Sequence, residues 1–218
     1  MCIRDRGVSD AEVLMAASNV IEGSEGEAPY TPLDLSGITL VQCEGDGGIL
    51  RYGEFFSGIG LNTYAFYDRQ KNGTIVDEIT EMFDGSWELQ QTGIEYLLAE
   101  EISITVVRSF LAAASEWDDY PVNSNNPTRF TYEETLTDHE TRGVAKRVLK
   151  QRKGSGYAER LVELCSCVDL PEIIVDALYE ISDNLPNDMI GAEEEEENAE
   201  NGDGVAGAPA HSPETDSE

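Results

Sequence analysis

Cations are scarce in this chain. Its 218 residues hold 14 Lys+Arg and 2 His against 44 Asp+Glu, a formal net charge of −30. That balance argues against a simple basic nucleic-acid binder. Two histidines argue against a His-rich metal site; a bound metal would sit among carboxylates and be hard, Mg2+ or Mn2+. Cysteine is sparse too: Cys2, Cys43, Cys165 and Cys167 form neither a zinc knuckle nor a disulfide framework. Reduced thiols in a cytoplasmic protein are the expectation. No apolar run approaches the roughly 18 residues of a membrane span, and no signal-peptide pattern opens the chain.

What the chain does have is enough apolar material, 40%, to bury a core. The first six residues, from Met1 to Arg6, look like a translated sequencing adapter joined to a read. On that reading the protein proper begins at Gly7 as a fragment lacking its N-terminal part; the alternative is a natural start. Nothing in the six resembles a helix or strand that runs on past Gly7.

From there, Ser9 and Asp10 cap a helix over 11–22, with Val13, Leu14, Ala17 and Ile21 on one stripe. A β-rich run at 38–43 reads as a strand and ends in the glycine turn 44–48. A helix over 49–59 comes next, then a second strand over 63–67, apolar nearly throughout, as a strand covered on both faces would be. Helix and strand alternating through short glycine-rich links predict an α/β parallel sheet. The rest reads as mainly helical. There is a stripe over 75–83, a helix over 93–117 interrupted at 102–107, and a loop over 118–131. Further helices run over 138–152, opened by a Thr137/Glu140 capping box, and over 157–165 and 171–181. The expected organisation is an α/β core over 7–100, a helical C-terminal part over 101–185, and a tail over 186–218. From Gly191 onward that tail holds ten acids and no Lys or Arg, and it reads as disordered.

Working groups in open α/β sheets gather beyond the carboxyl ends of the strands. Both readable strands end in acid: Cys43 runs into Glu44 and Asp46, and Tyr67 into Asp68. An Asx turn explains Asp68 equally well.

The order and wording of these pieces resemble the topoisomerase–primase (TOPRIM) domain. The residues concerned are Gly7-Val8-Ser9-Asp10 before a helix, and Gly37-Ile38-Thr39-Leu40-Val41-Gln42-Cys43-Glu44-Gly45-Asp46-Gly47. Leu50-Arg51-Tyr52-Gly53-Glu54-Phe55-Phe56 and Tyr64-Ala65-Phe66-Tyr67-Asp68 narrow the resemblance to one branch. That branch is the overcoming-lysogenization-defect (OLD) family of ATP-dependent endonucleases. Lys153-Gly154-Ser155-Gly156-Tyr157-Ala158 is similar to the family's late Lys-Gly-x-x-Ala segment.

The resemblance implies a TOPRIM-like, Rossmann-type sheet and a Mg2+- or Mn2+-dependent DNA endonuclease. It also implies an ATPase domain upstream, which would bind ATP and make the homodimer. In the family's Glu-Gly-x-Ser-Asp/Glu motif, Gly7, Ser9 and Asp10 match, while Arg6 stands where the leading Glu would be. A second Glu-Gly pair, Glu22-Gly23, reads as a helix end rather than a strand end. Asp10 and Asp68 are the metal and catalytic candidates; Glu95, which resembles a later family acid, is a third metal candidate or an exposed helix glutamate. Gln70 replaces the second acid of an Asp-x-Asp pattern. Lys153 would face charge developing on the phosphate.

Arg142, Lys146, Arg147, Lys150, Arg152 and Lys153 put six of the fourteen Lys+Arg into twelve positions without one acid. This run is the candidate DNA-backbone contact, a solvated helix face, or a partner for the acidic tail. A non-catalytic TOPRIM-like module binding DNA or protein through 142–153 is the competing reading.

Overall fold

The computed structural model describes residues 2–4, 9–24, 30–43, 46–122 and 125–185. Its first half alternates strand and helix: β1 (Cys2–Arg4), α1 (Ser9–Glu22), β2 (Val41–Cys43), α2 (Asp46–Gly58), β3 (Tyr64–Tyr67), α3 (Gly73–Met82) and β4 (Gly85–Glu88). Helices alone make up the second half: α4 (Ile94–Glu101), α5 (Ile104–Ala114), α6 (Asp138–Gln151), α7 (Tyr157–Val162) and α8 (Glu172–Asp183), with 3-10 turns at Pro127–Arg129 and Cys167–Asp169.

The four strands form one sheet in the order β2-β1-β3-β4, every neighbouring pair parallel. This is the expected α/β parallel sheet with a mainly helical part after it. The leader, expected to hold no helix or strand that runs on past Gly7, supplies a short strand of its own, β1, whose Cys2–Arg4 pairs with Val41–Cys43 on one side and meets Ala65 and Phe66 on the other. A central strand slot is filled by backbone N–H and C=O groups, which this segment offers as well as any other. The same pairing explains why β2 is shorter than the apolar run 38–43: its partner is only three residues long.

β3 shows why the sheet needs cover on both faces. All four of its residues are buried. Side chains alternate along a strand, so Tyr64 and Phe66 enter one core while Ala65 and Tyr67 enter the other. The first core is built by α1 and α4 to α8 through residues such as Leu14, Leu98, Phe110, Val148 and Ile174. The second is the smaller one beneath α2 and α3, with Cys43, Ile49, Ile79 and Phe83.

The strand β4 gives no signal in the sequence because Gly85-Ser86-Trp87-Glu88 has no β-branched residue and lies at the sheet edge, only half-buried. The β-branched cluster at 102–107 interrupts the helix for only two residues. Ile102 ends α4, and the Ser103 hydroxyl accepts the Val106 N–H at 3.5 Å to start α5. Val107, Phe110, Leu111 and Ala114 are fully buried, and that burial outweighs the modest helix penalty of Ile and Val. The Thr137/Glu140 capping box is present at α6.

The loop over 118–131 is tethered rather than loose: Tyr120 donates to the Phe130 carbonyl at 2.6 Å, and Asp119 accepts the Tyr157 hydroxyl at 2.9 Å. Among the described residues, Cys43, Cys165 and Cys167 are outside any disulfide. No helix among the described residues is long and apolar enough to cross a membrane. Glu44 and the acidic tail lie outside the described residues.

Candidate functional site

Strand order 2-1-3-4 places the reversal of the sheet between β1 and β3. The crevice outside the carboxyl ends of those two strands is where an open α/β sheet gathers its chemistry. The chain leaves β1 toward α1, whose first two residues are Ser9 and Asp10, and it leaves β3 at Asp68. Of the two acids chosen from sequence, Asp68 comes directly after β3, and Asp10 lies in the first turn of the helix that follows β1 in the chain; β1 and β3 are the strands that flank the switch point. Glu22, of the second Glu-Gly pair, is the last residue of α1, a helix end as its sequence context predicts.

Asp10 is 3% exposed, although carboxylates are seldom found so deep without compensation. It lies in the first turn of α1, where backbone N–H groups and the helix dipole favour an anion. Asp68 is half-buried and held on both sides by continued strand pairing. The Leu89 N–H donates to Tyr67 O at 2.8 Å, and the Arg69 N–H donates to Gln91 O at 3.1 Å. Gln70, standing where a second acid was expected, serves this loop. Its side-chain amide donates to Asp68 O at 2.7 Å, and its N–H donates to Glu88 Oε1 at 2.5 Å. Glu88 was not anticipated. The available signal was an acid just before buried Leu89, the same strand-end placement as Asp68, on a strand with little β character of its own.

Glu95 and Lys153 form a pairing the sequence did not suggest. Glu95, in the first turn of α4, is 4% exposed, and its Oε1 lies 3.3 Å from Lys153 Nζ. Lys153 belongs to the turn 153–156 that joins α6 to α7. Gly154 (φ 71) and Gly156 (φ 73) occupy the left-handed region that side chains with a Cβ avoid. The turn is tied to α1 as well: the Gly154 N–H donates to Ser9 Oγ at 2.9 Å. Ser9, beside Asp10 in sequence, is 1% exposed. Two separate contacts thus join the Lys153 turn to elements that begin at the sheet's carboxyl edge.

The rest of the basic run is largely spent inside the protein. Arg142 Nη1 donates to Ala99 O at 2.7 Å and Ile102 O at 3.0 Å, capping the carboxyl end of α4. Lys146 pairs with Glu100, and Arg147 Nε donates to Arg129 O at 2.8 Å. Arg152 lies close enough to the Tyr157 hydroxyl to oppose the rise that burial imposes on it. Lys150 donates to the Tyr96 hydroxyl at 3.3 Å and sits 5.7 Å from that ring, but it is solvent-exposed, as is Lys153.

Among the described residues no three His, Cys, Asp or Glu side chains gather as a metal-binding group. Mg2+ commonly takes one or two carboxylates from a protein and completes its shell with water and phosphate. The buried Asp10 and the strand-end Asp68 are hard oxygen donors of that kind and number, so the donor chemistry fits.

A parallel α/β sheet carrying acids beyond the strands at its switch point is the class of fold defined by these features. Solved structures that it resembles include the C-terminal regions of OLD proteins. The region from Burkholderia pseudomallei matches with a TM-score of 0.55 at 14% identity, covering 84% of this chain and 96% of that one. Two structures of the region from Xanthomonas campestris pv. campestris match with TM-scores of 0.53 at 15% and 16% identity, covering 84% of this chain and 94% and 93% of theirs. No protein-family model and no curated protein sequence matches the chain.

Proposed function

We propose that the chain is the nuclease module of an OLD-like endonuclease and hydrolyses DNA phosphodiesters with Mg2+ or Mn2+. The observation that carries this reading is the pair Asp10 and Asp68, placed after the two strands at the switch point of a sheet with the OLD C-terminal fold. Asp10 and Asp68 would hold the ion. When bound, such an ion polarises the phosphate, activates water and steadies the leaving oxygen. The protein supplies the rest. The loop pairing around Asp68 holds the backbone that carries its carboxylate before substrate arrives, and Lys153 presents a cation to the charge growing on the phosphate. Lys150 and Lys153, the exposed members of the basic run, are the proposed contacts to the DNA backbone. An ATPase domain preceding the module, with dimerisation through it, belongs to the same proposal.

A plasmid-nicking assay on the full-length protein tests the reading. Metal-dependent nicking should be lost in Asp68→Ala while thermal unfolding stays cooperative. Nicking that needs no metal, or that survives in Asp68→Ala, refutes it. In that event the non-catalytic reading, DNA binding through Lys150 and Lys153, remains, and a gel-shift titration decides it.

A further inference from the structure

The buried hydroxyl of Ser9 has no part in the chemistry above, yet it makes one long-range contact: it accepts the Gly154 N–H at 2.9 Å. A peptide unit is planar and includes the Cα of the preceding residue. Holding the Gly154 N–H therefore holds the Cα of Lys153. The side chain of Lys153 is held at its other end by Glu95, 3.3 Å away and almost wholly buried. Without the Ser9 contact, the turn 153–156 would keep its two left-handed glycines, the residues best able to swing, and lose its hydrogen bond to α1, while the packing of α7 on α1 would still hold the residues after the turn.

We propose that Ser9 is a positioning residue for Lys153, fixing the 153–156 turn so that the ammonium stays in register with Glu95 and with the carboxyl edge of the sheet. The inference rests on the endonuclease reading and adds a residue whose oxygen touches neither metal nor substrate. Misplacing a catalytic group by about 1 Å can cost up to roughly 100-fold in rate. The expected loss of kcat in Ser9→Ala is therefore about 10-fold to 100-fold with KM little changed.

The test is a double-mutant cycle in the full-length enzyme, with amide hydrogen exchange as a second readout. Ser9→Ala should lower kcat and expose the Gly154 amide to exchange, whereas Ser9→Thr, which keeps the acceptor oxygen, should restore both. In the Lys153→Ala background, Ser9→Ala should cost nothing further, because its effect passes through Lys153. A loss that multiplies in that background, or a Gly154 amide still protected in Ser9→Ala, overturns the positioning role alone. Parental nicking by Lys153→Ala overturns the role given to Lys153 and the positioning role with it.

Discussion

The carboxylate of Glu95 and the ammonium of Lys153 stand 3.3 Å apart, joining the first turn of α4 to the turn at the end of α6. Glu95 is 5% exposed at its side chain and Lys153 31%, so the pair has a buried acid and an accessible base. An accessible cation anchored by a buried partner is suited to meeting an anionic substrate without drifting from its place.

Chelation is the most direct check on the metal. EDTA should abolish nicking by the full-length protein, and excess Mg2+ or Mn2+ should restore it. Asp10→Asn should raise the metal concentration needed for half-maximal nicking, read from a titration against rate. Full activity in EDTA would remove Asp10 and Asp68 from the ligand role.

Arg142 and Lys150 should part company. Arg142→Ala leaves two carbonyls of buried residues, Ala99 and Ile102, without their donor. The expected cost is about 1–3 kcal/mol of stability for each acceptor left without a substitute, visible as a lower urea midpoint. Lys150→Ala should leave the midpoint nearly unchanged but reduce the slope of log K against log salt for DNA binding by about 1. Equal effects of the two on DNA affinity, with no loss of stability in Arg142→Ala, would restore the whole run as a DNA-facing surface.

Alkaline pH should unfold the protein early. Burial raises the hydroxyls of Tyr30, Tyr120 and Tyr157 from 10.0 to about 12. Between those values the unfolded chain releases protons that the folded chain keeps, so the unfolded state binds fewer. Unfolding free energy then falls as pH rises. The stability is fully present below the unfolded pKa and is lost through the folded one. Urea midpoints measured at pH 7, 8.5 and 11 should hold between the first two and drop at the third. A constant midpoint to pH 11 contradicts this.

The smaller core should be sensitive at Gly53. A Cβ there would come within 2.5 Å of Phe83 Cζ and 2.8 Å of Met82 Sδ, where α2 crosses the end of α3. Gly53→Ala should therefore destabilise by roughly 1–3 kcal/mol through overpacking, although alanine is the better helix former. A rise in the urea midpoint would mean that the Phe83 ring yields freely.

Much of this architecture was legible because its signals are local. Tyr64-Ala65-Phe66-Tyr67 reads as a strand buried on both faces, and Thr137 with Glu140 reads as a helix start, from residue type and spacing alone. Asp68 was found by the same logic, as an acid where a buried strand stops. Pairings between distant segments were not legible. β1 and β4 hold one residue each of high β propensity, Ile3 and Trp87, too few to mark a strand, and take their strand pairing from their neighbours. The engagement of Arg142 with α4, like that of Glu95 with Lys153, depends on how helices cross, which the spacing of charges along one helix does not encode. For the same reason a run of six cations read as one charged face, whereas all six meet a carbonyl, an acid or a tyrosine within the fold and only Lys150 and Lys153 among them are solvent-exposed.

Ser9 and Gly154 are 145 positions apart in the chain. Closing so large a span costs conformational entropy that contacts within single helices do not have to meet. The contact therefore forms only when segments from the two halves of the chain are brought together. A nascent chain holds Asp10 and Asp68 long before it holds Lys153, the last of the candidate residues along the sequence. Under the proposed DNA-cutting role, the acids are made first and their cation last.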